Sequence, residues 1–416
     1  MPTLLDEGDG LFKTHVHLED VNQVIKEQLK TDKLLGPNTK YTVIGDGNGF
    51  MSKVILVEND WENDEDLPRK FVLKITSATH IKTISDKMKD TGFEFTPEMQ
   101  EQIFAKFAVT TQTIHNHEVD LYHIFEKWNI PKITLNPKIF FTKKFDEGNS
   151  VKGFIGMEYV EKAITRHLYV NVEPESLYPV LKVIATFQAK SLDFSDNDIA
   201  SITGVNFKTM MQEVHNDDGI KGMFGAVRKI NEQVLSEKCD QLLEHGTNLF
   251  DLDLPTNLNQ IVGIEKDVMV HGDLWCANII WRKEGDEYHV NKVIDYQLVH
   301  MGNPAEDLVR LFLSCLSGHD LSEKWESLLE KFYEYFLEAL EHHQVPPYTL
   351  AQLKESFERY YLIGAFLMLP MFGPIVDIKL SLEKNVEERD KIQGILTERS
   401  LVLLDNMIKY YNKYNN

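Results

Sequence analysis

Polar residues set between buried strands are costly unless they are paired or put to use. Residues 268–281, VMVHGDLWCANIIW, set several of them there. The apolar run VMV stops at His271-Gly272-Asp273, and Asn278 stands at the head of the next apolar run, NIIW. A further apolar stretch, VNKVID at 290–295, closes on Asp295. Adjacent strands would bring two carboxylates and an amide together, and such hard oxygen donors suit Mg²⁺. Asp273, ahead of the loop, is the better candidate for a base that takes a proton from an attacking hydroxyl. Asn278 and Asp295 are the better metal ligands. For any one of these residues a capped hairpin turn is the plainer account; all three in this order favour chemistry. His271 reads as a residue that orients the loop by hydrogen bonds. Asp307 reads as structural support, capping the helix DLVRLFLSCL or bonding to the loop.

The surrounding text predicts an α+β chain. An amphipathic helix over 18–30 places Val21, Val24, Ile25 and Leu29 on one face. YTVIG, DGNGF and MSKVILVE then read as strand, Gly-rich turn and strand, and FVLKI as a third strand. Helical text reaches 128; IFF (139–141) and FIGMEYV (154–160) read as strands, and helices dominate from about 175. A β-rich lobe (1–157) and a mainly helical lobe (158–416), with a cleft between them, follow. The segment 360–376, YYLIGAFLMLPMFGPIV, reads as a buried helix ending in a turn near Pro370–Pro374, and no membrane span is expected.

At 416 residues the chain can bury a sizeable core. Its formal net charge of -21 argues against nucleic acid as a partner. A triphosphate remains compatible, because a local lysine and Mg²⁺ can neutralise it. Cys239, Cys276 and Cys315 form no CxxC pair, which fits a reducing, cytoplasmic setting. Oligomeric state is not legible.

HGDLWCAN followed by IDYQ resembles the catalytic and metal-binding motifs of the CHK kinase-like family. This is the ecdysteroid-kinase-like branch of the choline kinase and aminoglycoside phosphotransferase superfamily. The motif is similar to the protein-kinase loop H-R-D-x-x-x-x-N, with Gly272 in place of the arginine. The text around GDGNGFMS and HNHEVDLY most resembles a nematode branch of that family. The resemblance implies a bilobal protein-kinase-like fold that uses ATP and Mg²⁺. Gly45, Gly47 and Gly49 would form a turn offering backbone N–H groups to phosphates. A strand rather than a helix follows them, so a dinucleotide-binding fingerprint fails. Lys74 in FVLKI would be the lysine that holds the α- and β-phosphates, and Glu118 in HNHEVDLY its helix partner, with Tyr122 one turn on. Glu158 and Val160 would meet adenine through backbone atoms. His115, His117 and His123 lack the HExxH spacing of a zinc site.

Only a few residues separate Asp295 from GNPAEDL (302–308), too few for a peptide-substrate platform. The expected reaction is therefore transfer of the γ-phosphoryl group of ATP to a small-molecule alcohol. The acceptor could be steroid-like, choline-like or another small alcohol, met by the helical segment at about 175–260 and the late helices. Phe366, Met368, Met371 and Phe372 line an apolar pocket or simply pack. The rival class is a catalytically silent pseudokinase that binds a nucleotide or a partner.

Overall fold

The computed structural model describes residues 2–45, 51–61, 67–79, 97–130, 135–205 and 207–415. Gly47 and Gly49 lie outside them. The chain forms two compact units, Met1–Lys162 and Ala163–Asn416. The sequence-based boundary at 157/158 instead cuts off the last residue of a strand.

In the first unit, helix α1 (Leu18–Gln28) begins where the Asp20 carboxylate accepts the His17 N–H at 2.8 Å. Strands β1 (Lys40–Val43), β2 (Ser52–Glu58) and β3 (Lys70–Thr76) follow, then the long helix α2 (Pro97–Lys127), then β4 (Ile139–Lys143) and β5 (Phe154–Glu158). The five strands make one antiparallel sheet in the order β1-β2-β3-β5-β4. Alternation decides its faces. Ile55, Val57, Phe71, Leu73 and Ile75 share a core with Val21, Val24 and Ile25 of α1. Lys74 and Thr76, one residue out of phase, therefore turn to the other face, where both meet α2.

The second unit opens with the short strand β6 (Ile164–Thr165). Helices α3 (Tyr178–Ser191), α4 (Asp196–Ser201), α5 (Phe207–Met211), α6 (Asp217–Arg228), α7 (Glu232–Leu243) and α8 (Leu254–Val262) come next. Strands β7 (Val268–Val270), β8 (Ile279–Glu284), β9 (Glu287–Val293) and β10 (His300–Gly302) surround the HGD loop. Helices α9 (Glu306–Cys315), α10 (Gly318–Ala339), α11 (Leu350–Pro374) and α12 (Val386–Asn415) complete the unit. β7 pairs with β10, and β8 lies between β6 and β9, all antiparallel. This is an α+β order of elements: a β-rich unit with one long helix, then a mainly helical unit that carries the loop.

The expected turn at 370–374 is overturned. α11 runs through Pro370 to Pro374 and continues as a π-helical run, Ile375–Leu380. A proline forfeits one helical hydrogen bond, but Pro370 lies on the exposed side while Phe366, Leu369 and Phe372 stay buried. Packing against α6, α8, α9 and α12 holds the helix together across the defect. Phe366 sits 4.8 Å from the Phe250 ring, and Met368 is buried with it, so these residues belong to a packed core. Among the described residues no helix is long and apolar enough to cross a membrane.

Candidate active site

The HGD loop hangs from helix α9. Asp307 accepts the backbone N–H of His271 on Oδ2 (2.7 Å) and that of Gly272 on Oδ1 (3.0 Å). It does not cap its own helix, whose N-cap is Ala305. Burial pushes the Asp307 carboxyl up to about 7, against the pull of those two amides. His271 is fully buried. Its Nε2 faces the Ile294 carbonyl (3.1 Å), and its Nδ1 accepts the Asp273 N–H (3.3 Å). That pattern needs a neutral ring protonated on Nε2, and burial does push the ring down to about 4. The histidine is thus a brace between the loop and the end of β9.

Gly272 explains why arginine is missing from this motif. Its φ is +81°, and a Cβ there would collide with the Leu298 carbonyl. The left-handed backbone alone costs an alanine about 1–2 kcal/mol, before the clash is counted. Gly272→Ala is therefore expected to lower the melting temperature by several degrees and to reduce any turnover. Thermal denaturation followed by circular dichroism checks the first effect.

Within the loop, Asn278 Nδ2 donates to the Asp273 carbonyl (2.8 Å) and to Asp273 Oδ2 (3.2 Å). Both amide hydrogens are spent in this way, which turns Oδ1 of Asn278 away from the aspartate. Asp273 Oδ1 accepts from Arg310 Nη2 of α9 at 2.6 Å. Burial raises the Asp273 pKa, Arg310 draws it back down, and the nearby Asp295 carboxylate raises it again. Asp295 lies two residues past β9, not on a strand as expected, with φ +70°. A non-glycine residue is held there at a cost of about 1–3 kcal/mol, and such strain clusters at functional sites. The flanks hold it: Ile294 donates to the Asn278 carbonyl (3.0 Å) and accepts from His271. Asp273, Asn278 and Asp295 are thus brought into one neighbourhood.

Sequence reasoning missed Arg310. The available signal was one basic residue inside the apolar helix DLVRLFLSCL, three positions after Asp307 and so on the same face.

Behind the loop, His300 Nδ1 faces the Leu298 carbonyl (2.9 Å), and Nε2 lies 3.4 Å from Glu306 Oε2. Burial disfavours the charged ring, but the Glu306 carboxylate outweighs it and the pKa rises to about 9. A folded-state value above the ordinary one, about 6.5, stabilises the fold fully below that pH. The contribution is lost as pH rises through about 9. Melting temperature should therefore fall between about pH 6.5 and 9, and Glu306→Gln should flatten that part of the profile.

In the first unit, Lys74 Nζ donates to Glu118 Oε2 at 2.7 Å, both side chains being buried, and the Tyr122 hydroxyl donates to Glu118 Oε1 at 3.1 Å. Residues three and four apart on α2 aim His115, Glu118 and Tyr122 at one side. His115 is a satisfied core residue, between the Thr76 hydroxyl (2.7 Å) and the Lys143 carbonyl (2.8 Å), and burial holds it down at about 4. Gly45 follows β1 with φ +73° and open space where a Cβ would be. The Glu158 N–H is committed to the Lys138 carbonyl (2.8 Å), and Val160 lies just past β5.

Comparison with known proteins finds likenesses of both sequence and structure. The protein of Caenorhabditis elegans named "Uncharacterized oxidoreductase dhs-27" is 25% identical over 372 residues, which is 86% of this chain. The chain spans 42% of the length of that relative. The GDP and kanamycin complex of an APH(2″)-type enzyme is similar at a TM-score of 0.46 with 14% identity, over 94% of this chain and 98% of that one. An ethanolamine kinase of Plasmodium vivax is similar at a TM-score of 0.40 with 13% identity, over 93% and 89%. A family profile described as "DUF1679: Uncharacterized oxidoreductase dhs-27" matches residues 4–415. The chain belongs to the DUF1679 family.

Proposed function

We propose that this chain is a small-molecule kinase that transfers the γ-phosphoryl group of ATP to an alcohol hydroxyl. The observation that carries the reading is the held carboxylate of Asp273, fixed by Arg310 and Asn278 on a loop hung from Asp307, with Asp295 beside it. Asp273 would align the acceptor oxygen and take its proton. Asn278 and Asp295 fit Mg²⁺, since Asn278 spends its Nδ2 on Asp273 and both side chains offer hard oxygens. When bound, the ion neutralises charge on the β- and γ-oxygens. Lys74, held by Glu118, would grip the α- and β-phosphates, while backbone atoms of Gly45, Glu158 and Val160 would meet the rest of the nucleotide.

The name of the C. elegans relative includes an oxidoreductase, but this chain matches less than half of that protein. The strand pairs of the described residues are all antiparallel, so they offer no parallel βαβ crevice for a dinucleotide. The test is ATP turnover with Mg²⁺ against sterols, amino alcohols and aminosugars, with NAD(P)H oxidation as a control. A phosphorylated alcohol supports the reading and names the acceptor class. Nucleotide binding with no product from any acceptor would favour the silent pseudokinase.

A further inference from the structure

Two arginines are buried in the helical unit, and they are used differently. Arg399 of α12 spends its guanidinium widely. Nε donates to Asn171 Oδ1 (2.9 Å), Nη1 to the Ser314 carbonyl (2.9 Å), and Nη2 to the carbonyls of Cys315 (2.6 Å) and Val170 (3.2 Å). Arg310 of α9 is 9% exposed and donates one hydrogen bond, to Asp273 Oδ1. Among the described residues its buried Nε and Nη1 have no partner.

A buried guanidinium with idle donors weighs against the fold. An arginine kept for stability would be satisfied as Arg399 is. At position 310, among buried Leu308, Val309, Leu311 and Phe312, an apolar side chain would pack at lower cost. Among the described residues the single hydrogen bond of Arg310 is the one that holds Asp273. With Asn278 on Oδ2 and Arg310 on Oδ1, the carboxylate is pinned at both oxygens. Its remaining lone pairs are aimed rather than spread over rotamers.

We infer that Arg310 is a positioning residue for Asp273, fixing the orientation in which that carboxylate meets the acceptor hydroxyl. The inference rests on the phosphoryl-transfer reading above. A misplaced reacting group costs on the order of 10²-fold in rate, and that is the loss expected in kcat for Arg310→Met. KM for Mg·ATP should stay within about threefold, because the interaction acts in the transition state. Arg310→Lys should recover about tenfold of the loss, since it restores one donor but not the planar fork.

The decisive comparison is a double-mutant cycle with Asp273→Asn, read from release of radiolabelled phosphate to water or to the best alcohol of the panel. In that background Arg310→Met should cost nothing further in kcat, and the double variant should melt at or above the wild-type temperature. If Arg310→Met fails to fold, Arg310→Lys in the two backgrounds makes the same comparison. The inference is overturned if Arg310→Met keeps its kcat, raises KM alone, or loses the same factor with and without Asp273. Wild-type protein that transfers no phosphate to any acceptor defeats the parent reading and this one with it. Active wild type beside an equally active Arg310→Met defeats this one alone.

Discussion

Asp273→Asn is expected to lower turnover by about 10²- to 10⁴-fold, the usual worth of a general base, with Mg·ATP affinity nearly unchanged. The substitution keeps the size of the side chain, and an amide oxygen can still accept from Arg310. What it removes is the capacity to take a proton. Its new NH₂ group would face the Nδ2 of Asn278, so that contact is lost while the Asn278 bond to the residue 273 carbonyl survives. The loop remains hung from Asp307, and the fold should persist. Asp295→Asn should behave differently: under the proposed reading its carboxylate would hold Mg²⁺, so affinity for Mg·ATP is expected to fall first. Steady-state kinetics with titration calorimetry of Mg·ATP separates the two. Identical defects, or two fully active variants, would defeat the division of labour.

Lys74→Met carries the second large effect. It removes the 2.7 Å bond from Lys74 Nζ to Glu118 Oε2 while Glu118 stays buried at 1% exposure. Removing one partner of such a pair typically costs about 3–5 kcal/mol, so a clear drop in denaturation midpoint is expected along with loss of nucleotide binding. Lys74→Met combined with Glu118→Met should win back much of the stability, because apolar pairs often replace buried ion pairs without loss. The recovery will be incomplete, since the Tyr122 hydroxyl loses Glu118 Oε1 as an acceptor. Nucleotide binding should stay lost. Recovered stability with recovered binding would mean that Lys74 does not touch phosphate.

These expectations were open to sequence reasoning to different degrees. Local periodicity carried α1, whose Val21, Val24 and Ile25 all reach the core. Alternation along FVLKI carried Lys74, because a residue out of phase with Leu73 and Ile75 must face elsewhere. The HGD loop was legible because polar residues between apolar runs demand a reason. Arg310 was not, because its partner lies 37 residues away and only the packing of α9 against the loop joins them. Pro370 misled for the opposite reason: a strong local breaker was overridden by burial on the far side of its helix. The strain at Asp295 was not legible either, since nothing in VNKVID marks a left-handed residue.

The Arg399 contacts have a consequence for the far end of the chain. Ser314, whose carbonyl Arg399 grips, also accepts the Cys276 N–H on its hydroxyl (3.0 Å), so the last helix reaches the back of the HGD loop through two links. A stop codon or protease cut ahead of Arg399 would take one donor from each of three carbonyls at once, those of Val170, Ser314 and Cys315. Lesions that remove α12 should therefore phenocopy damage to the proposed active site, although they touch none of its residues.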